Sequence, residues 1–239
     1  MTRREVLAIV PVHNEAEALG GALADLRERA PACDVLVVDD GSTDETAAIA
    51  RQAGAPVLRL AINVGVGGAV QAGFRYALER GYRYAVQFDG DGQHPAGQID
   101  ALLVPVRAGE CEMAIGSRFL ADSAYEGSAW RRLGTRLLST ICRLVTGLRI
   151  TDATSGFRAY GPQALRYLAA YYPADYPEPE SVVLLSRRGM AIREIAVSMR
   201  PRQGGRSSIS GLGAAYYMTK VSLSLLLAVF KEGPRKQAA

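Results

Sequence analysis

Short apolar runs alternate with helical stretches through the first ninety residues, and this alternation restricts the fold more than any other feature of the chain. Val6–Val12 (VLAIVPV), Cys33–Val38, Val57–Leu60 and Tyr84–Phe88 are too short for buried helices. The first is continuously apolar, as strands covered on both faces of a parallel sheet are, and the others are apolar but for one polar residue each. Pro11 lacks an N–H and weakens only the end of the first run. Between the strands, Asn14 as an N-cap opens a helix to about Arg29, Glu45–Ala53 is alanine-rich, and Asn63–Gly68 opens a helix to about Arg80. Four strands with helices between them and short connections predict a doubly wound α/β sheet.

The pattern continues less regularly. A helix is expected from about Gly97 to Ala108, a fifth strand at Met113–Ser117, a polar loop at Asp122–Gly127 and a helix at Trp130–Val145. Thr151–Arg158 reads as a polar loop. The proline-rich stretch Tyr171–Glu180 postpones the next helix to about Glu180, from which it runs to Arg188, and Ile192–Met199 alternates like a strand. No internal repeat or linker interrupts this series. Residues 1–210 are therefore read as one domain and 211–239 as a C-terminal extension.

Ligands of such sheets bind outside the carboxyl ends of the strands. The chemically distinctive residues, His13–Glu15, Asp39–Asp44, Asn63–Gly68 and Asp89–Gln93, occupy those ends. Most informative is Asp89-Gly90-Asp91-Gly92, directly after the fourth strand, where the two glycines are read as keeping the mouth of the sheet open. An isolated Asp-Gly pair is ordinarily a turn. Two carboxylates one residue apart repel unless a cation or a shared proton lies between them, and at a strand end they suggest Mg²⁺ or Mn²⁺ completed by the phosphates of a nucleotide.

Two histidines and three scattered cysteines give no zinc spacing and no disulfide framework, which points to a reducing compartment. The N-terminus enters a strand without a signal-peptide pattern, so a cytosolic location is expected. Residues 197–239 carry seven cations and one anion, whereas the first 196 residues are slightly acidic. A basic tail beside an apolar run suits an anionic membrane surface or a phosphate-bearing partner. It lacks the broad interleaving of basic and aromatic residues that nucleic acid calls for. Residues 214–230 have the length of a helix that just spans a bilayer, but Lys220 and two serines leave spanning, interfacial, re-entrant and dimer-interface placements open.

Six segments in order, IVPVHNE, VVDDGSTDET, NVGVGGAVQAGF, QFDGDGQH, GSRF and TSGFRAY, resemble the family 2 glycosyltransferases of GT-A fold. Within them the branch of dolichol-phosphate mannose synthases and bacterial polyprenyl-phosphate glycosyltransferases is most similar. The resemblance covers about residues 6–210. It implies that Pro11, His13, Glu15, Asp39 and Asp40 hold the nucleoside of a UDP-, GDP- or dTDP-sugar. Gly67, with Gly65 and Gly68, would let backbone approach the ligand or a neighbouring strand, and Gln71 would face the donor. Asp89 and Asp91 match the metal-binding D-x-D. Gln93 and Arg118 would line the sugar and diphosphate, with Asp91 and Arg118 supporting the departure of the diphosphate as the anomeric centre inverts. Arg118 could instead be a structural ion-pair partner, and Asp44 simply a helix cap.

The acceptor is less determined. Arg202-Gln203-Gly204-Gly205-Arg206-Ser207-Ser208 resembles the loop that grips lipid phosphate in the polyprenyl-phosphate branch, with Arg202, Arg206 and Ser207 as phosphate ligands. Ser208 stands where that branch often has lysine. A phosphate monoester, with a second pKa of about 6, needs no strong base. A saccharide hydroxyl does, and Asp152, Glu178 or Glu180 could supply it. The first expectation is transfer of a hexose to polyprenyl phosphate at the cytosolic membrane face. The alternative keeps the donor and uses a saccharide hydroxyl in cell-envelope polysaccharide synthesis. A catalytically silent nucleotide-sugar binding module and a homo-oligomer or separate membrane subunit also remain open. A dinucleotide-binding oxidoreductase built on Gly65-Val66-Gly67 fits poorly, because that loop follows the third strand and position 70 is Val.

Overall fold

The computed structural model describes residues 4–120, 129–200, 220, 221 and 224, with side chains of α5 described from residue 137 onward. Its order is β1 (Val6–Val12), α1 (Ala16–Arg29), β2 (Cys33–Asp39), α2 (Thr46–Gln52), β3 (Val57–Arg59), α3 (Gly65–Glu79) and β4 (Tyr84–Gln87). A 3₁₀ turn (Ala96–Gln98) then leads into α4 (Ile99–Arg107), β5 (Met113–Ser117), α5 (Ala129–Thr146), β6 (Arg158–Tyr160), α6 (Pro162–Tyr171), α7 (Pro177–Arg187) and β7 (Ile192–Ala196). The strands form one sheet in the order β3-β2-β1-β4-β6-β5-β7. Every neighbouring pair is parallel except those of β6, which runs antiparallel to both β4 and β5.

Alternation along β1 shows why the sheet is covered on both sides. Leu7 and Ile9 join a core with Phe74, Tyr160, Leu165 and Val183, while Val6, Ala8 and Val10 join a second with Leu19, Leu26, Phe88 and Leu102. Phe74 of α3 meets Tyr160 and Tyr172 edge-on, with centroids 4.9 and 5.2 Å away. Pro11 is tolerated inside a central strand. The β1–β4 ladder ends at Ile9↔Gln87, so β4 has no pairing left to lose where proline lacks its N–H.

Several local expectations change. Asn14 is not the N-cap of α1: Glu15 occupies that position, and Asn14 has a left-handed φ of 55°. Its side-chain oxygen accepts instead from the Thr43 N–H at 2.9 Å, tying the β1 and β2 loops together. Helix α7 starts at Pro177, before the expected Glu180, because proline's fixed φ suits the first helical turn and its missing N–H costs nothing there. The segment read as loop up to Arg158 runs into a three-residue strand, β6. The Asp122–Gly127 loop, the Arg202–Ser208 loop with Arg202, Arg206 and Ser207, the boundary at 210 and most of 214–230 lie outside the described residues. From that last region, Val221 is fully buried in the Phe74 core, and Ser224 Oγ donates to Glu180 Oε1 at 2.6 Å. Cys33, Cys111 and Cys142 are buried thiols, each pushed up to about 11 by burial, and so are protonated and poor nucleophiles.

Candidate active site

The parallel strands deliver His13–Glu15 (after β1), Asp39–Asp44 (β2), Asn63–Gly65 (β3), Asp89–His94 (β4) and Arg118 (β5) to one edge of the sheet. Because β6 is antiparallel and its first residue pairs with the last of β4, Arg158 against Gln87, the segment leading into β6 reaches the same edge. Residues far apart in sequence thereby converge on the D-G-D loop.

Asp89 is held from two sides of the chain. His94 is almost fully buried, and burial, followed by the nearby Arg118 charge, pulls its pKa down to about 3. Its ring is therefore neutral. Nε2–H donates to Asp89 Oδ2 at 3.0 Å, a hydrogen bond rather than a salt bridge, which leaves the bare Nδ1 without a partner among the described residues. Phe88 and Phe157 pack against the ring, with centroids 5.7 and 4.8 Å away. From the segment before β6, Gly156 approaches so closely that a Cβ there would lie 2.8 Å from Asp89 Oδ2. Asp91 is nearly buried, and its Oδ1 accepts the Gln93 N–H at 3.0 Å. The glycines of the loop do not serve as an open mouth: a Cβ on Gly90 would meet Val12 Cγ1 at 2.5 Å, and Gly92 makes a turn with φ 76°.

Among the described residues no third His, Cys, Asp or Glu joins Asp89 and Asp91 in a possible metal cluster. Two hard carboxylate donors fit Mg²⁺ or Mn²⁺ that takes its remaining ligands from a diphosphate and water. They do not fit a cation caged by protein alone.

Arg118 and Asp152 form a fork. Arg118 Nε donates to Asp152 Oδ2 at 2.6 Å and Nη2 to Oδ1 at 2.7 Å, while the Arg118 N–H reaches Oδ2 at 3.2 Å. Nη2 also donates to Thr154 Oγ1 at 3.1 Å. Asp152 is fully buried and Arg118 is 18% exposed, so the pair lies where charge–charge attraction is strong and an unpaired ion costly. Glu180 is buried on α7. On the same helix Glu178 is raised above the ordinary carboxylate value by burial, against the opposing pull of Arg158. The buried Arg158 guanidinium donates to the carbonyls of Ser155, Ala153 and Glu178 and to Ser181 Oγ, joining the segment before β6 to the start of α7.

The nucleoside candidates sit on β1 and β2. Both Asp40 oxygens accept backbone N–H groups, Val64 at 2.7 Å and Gly65 at 2.9 Å, so this carboxylate caps the positive end of α3. Asp39 accepts the Ser42 N–H at 2.9 Å through Oδ1. Its buried Oδ2 has Arg59 Nε 3.3 Å away but no aligned hydrogen bond. His13 Nδ1–H donates to the Asp40 carbonyl at 2.8 Å, and its Nε2 accepts from Asn14 Nδ2 at 3.2 Å. The Glu15 N–H donates to Thr46 Oγ1 at 2.9 Å. Pro11 lies at the end of β1 and Gln71 is half-buried on α3. At Gly67 a Cβ would strike the carbonyl oxygens of Pro173 and Ala174 at 2.3 and 2.6 Å, so the neighbour for which that glycine makes room is the connection after α6. Sequence reading gave no role to His94, Thr154, Gly156, Arg158 or Glu194, although the first four stand inside or beside quoted motifs.

Comparison with known proteins gives this geometry a family. Residues 7–168 match the sequence signature of glycosyl transferase family 2. An undecaprenyl-phosphate mannosyltransferase of Micrococcus luteus is 38% identical over 215 residues, 86% of this chain and 88% of that protein. A polyprenol monophosphomannose synthase of Mycolicibacterium smegmatis is 32% identical over 229 residues, 92% of this chain and 86% of its own. Among solved structures, glucosyl-3-phosphoglycerate synthase of Mycobacterium tuberculosis with Mn²⁺, uridine diphosphate and phosphoglyceric acid superposes with a TM-score of 0.72. That alignment is 20% identical and covers 97% of this chain and 80% of that one, a likeness of fold. A mostly parallel sheet carrying a D-x-D at the end of β4, together with these matches, makes the chain a GT-A glycosyltransferase belonging to glycosyl transferase family 2.

Proposed function

We propose that the protein transfers a hexose from a nucleoside-diphosphate sugar to the phosphate of a polyprenyl phosphate, inverting the anomeric carbon, at the cytosolic face of a membrane. The observation that carries the choice of acceptor is the Arg118–Asp152 fork. A hydroxyl acceptor requires a base with a lone pair aimed at its proton. Asp152 has each oxygen taken by a guanidinium N–H, and Glu180 accepts from Ser224. A phosphate monoester already carries the negative oxygen that attacks. The names of the two curated relatives support the same acceptor.

In the proposed reaction an acceptor phosphate oxygen forms a bond to the anomeric carbon. The bond from that carbon to the diphosphate breaks, and the nucleoside diphosphate departs with the electron pair. Asp89 and Asp91 would hold Mg²⁺ or Mn²⁺, which when bound neutralises charge on the leaving diphosphate. Arg118 follows β5 at the same sheet edge as the D-G-D loop, and its positive charge would counter the same developing negative charge. Asp152 fixes the direction of that guanidinium. The β1 and β2 ends, with His13 and Asp39, would receive the nucleoside. Among the described residues no helix is long and apolar enough to cross a membrane.

The test is to incubate purified protein with UDP-, GDP- and dTDP-hexoses, Mg²⁺ or Mn²⁺, and polyprenyl phosphate. A lipid-linked glycosyl phosphate is expected from one donor class. Product on saccharide hydroxyls with none on lipid phosphate would reverse the assignment. One observation favours that second reading: burial raises the pKa of Glu178 above the ordinary carboxylate value, the direction a general base needs. Loss of hydroxyl transfer in Glu178→Gln with donor binding retained would establish it.

A further inference from the structure

We infer that Glu194, on the edge strand β7, is a positioning residue for the leaving-group arginine and acts through Asp152. The chain of contacts is continuous. Glu194 Oε2 accepts the Thr151 N–H at 2.7 Å, and Oε1 accepts the Asp152 N–H at 2.8 Å. The Thr151 hydroxyl lies 3.0 Å from both oxygens. Asp152 then presents its two oxygens to Nε and Nη2 of Arg118. Thr151 is also held by Ser117 Oγ, 2.7 Å from its hydroxyl, and by Ser139 Oγ, which donates to its carbonyl at 3.0 Å.

The need for such a brace follows from the fold. Thr151 and Asp152 belong to no helix or strand, so no ladder satisfies their N–H groups. The parallel register of β7 on β5 sets Glu194 beside Ile115, two residues before Ser117 and three before Arg118. One carboxylate on a strand thus supplies the acceptors for two successive backbone donors on a turn. A glutamine at 194 would keep the volume, but it would retain one acceptor oxygen and point an NH₂ at one of the donors. Asp152 would lose its tie to β7, and Arg118 part of its direction. An error of about 1 Å in a group that acts on the transition state costs up to about a hundredfold in rate.

Because the rate effect rests on the proposed donor chemistry, one arm of the test needs no turnover. In ¹⁵N-labelled full-length protein, the Arg118 Nε–H resonance is identified by its disappearance in Arg118→Lys. It is expected to be protected from solvent exchange in the wild type and to exchange about tenfold faster in Glu194→Gln. An unchanged exchange rate overturns the inference. In the second arm kcat is expected to fall about tenfold in Glu194→Gln with donor KM within about twofold, and Glu194→Gln should add no further loss to Arg118→Lys. Additive losses would mean that Glu194 acts by another route and would also overturn it. Glu110→Gln, which removes the exposed partner of Arg193 on the same strand, is the control expected to match the wild type. Should Glu194→Gln fail to fold, Thr151→Val removes only the hydroxyl and gives the same readouts in the same direction. If no donor turns over in the wild type, the functional reading falls while the exchange arm still decides this one.

Discussion

Asp89, the more exposed carboxylate of the D-G-D loop, owes its orientation to two residues that carry no charge of their own. Neutral His94 donates to Oδ2, and Gly156 leaves room beside that same oxygen. Gly156 does not have a positive φ, so alanine strains no backbone there and acts through its Cβ alone. Gly156→Ala is expected to weaken Mn²⁺ binding in the presence of UDP or GDP by about tenfold, as loss of the support around a metal ligand commonly does, while the melting temperature moves little. Titration calorimetry measures it, and a wild-type isotherm would show that Asp89 has space to retreat. The fork behaves differently because both partners are charged. Asp152→Asn removes the bidentate carboxylate that faces the largely buried Arg118 guanidinium, which costs about 3 kcal/mol in urea denaturation. The pH–rate profile of lipid-phosphate transfer should keep its shape, since no titrating base is removed. Disappearance of its acid limb would restore Asp152 as a base.

At the scale of elements, Asp44 joins two helix starts. Oδ1 accepts the Thr46 N–H at 3.0 Å and its hydroxyl, and Oδ2 accepts the Ala16 N–H at 3.3 Å. Partial burial raises its pKa, but these bonds outweigh that effect and hold the value below the ordinary 3.8. A depressed folded-state value means that the stabilisation is complete above the unfolded pKa and is lost as pH falls through the folded one. Asp44→Ala is therefore expected to cost about 1 kcal/mol at neutral pH and progressively less below about pH 4. A penalty that stayed constant to pH 2 would assign the effect to shape rather than charge. Legibility in the sequence divides along similar lines. The first five strands and β7 were readable because apolar runs and alternation mark strands wherever they pair. β6 was not, because Arg158-Ala159-Tyr160 is short and begins with a charge, and only its neighbours β4 and β5 make it a strand. The site was readable as far as strand ends carry it: Asp89, Asp91 and Arg118 stand at predicted edges. Which carboxylate faces which arginine was not, since Asp152 and Gly156 reach the edge only through the antiparallel course of β6. Likewise, adjacent acids at 39 and 40 look equivalent in sequence, whereas the fold gives one to Ser42 and the other to the start of α3.

For the molecule as a whole, loops from five strands meet at one sheet edge, and two of the carboxylates there, Asp89 and Asp91, repel each other until a cation is shared. A ligand that bridges those loops binds the folded state and not the unfolded chain, so it stabilises by mass action. At about one hundred times its Kd this is roughly 2.7 kcal/mol. In a 239-residue chain each kcal/mol moves the melting temperature by about 2–4 °C, which predicts a rise of about 5–10 °C with the cognate nucleoside diphosphate and Mn²⁺. With EDTA the two carboxylates face the diphosphate uncompensated, and the rise should fall to less than about half. Asp89→Asn should lower the metal-dependent part without abolishing the rest of the rise, because the proposed nucleoside contacts of His13 and Asp39 are untouched. If the full rise persists in EDTA, the diphosphate is carried by Arg118 and backbone N–H groups, and the D-G-D loop serves as a turn after all.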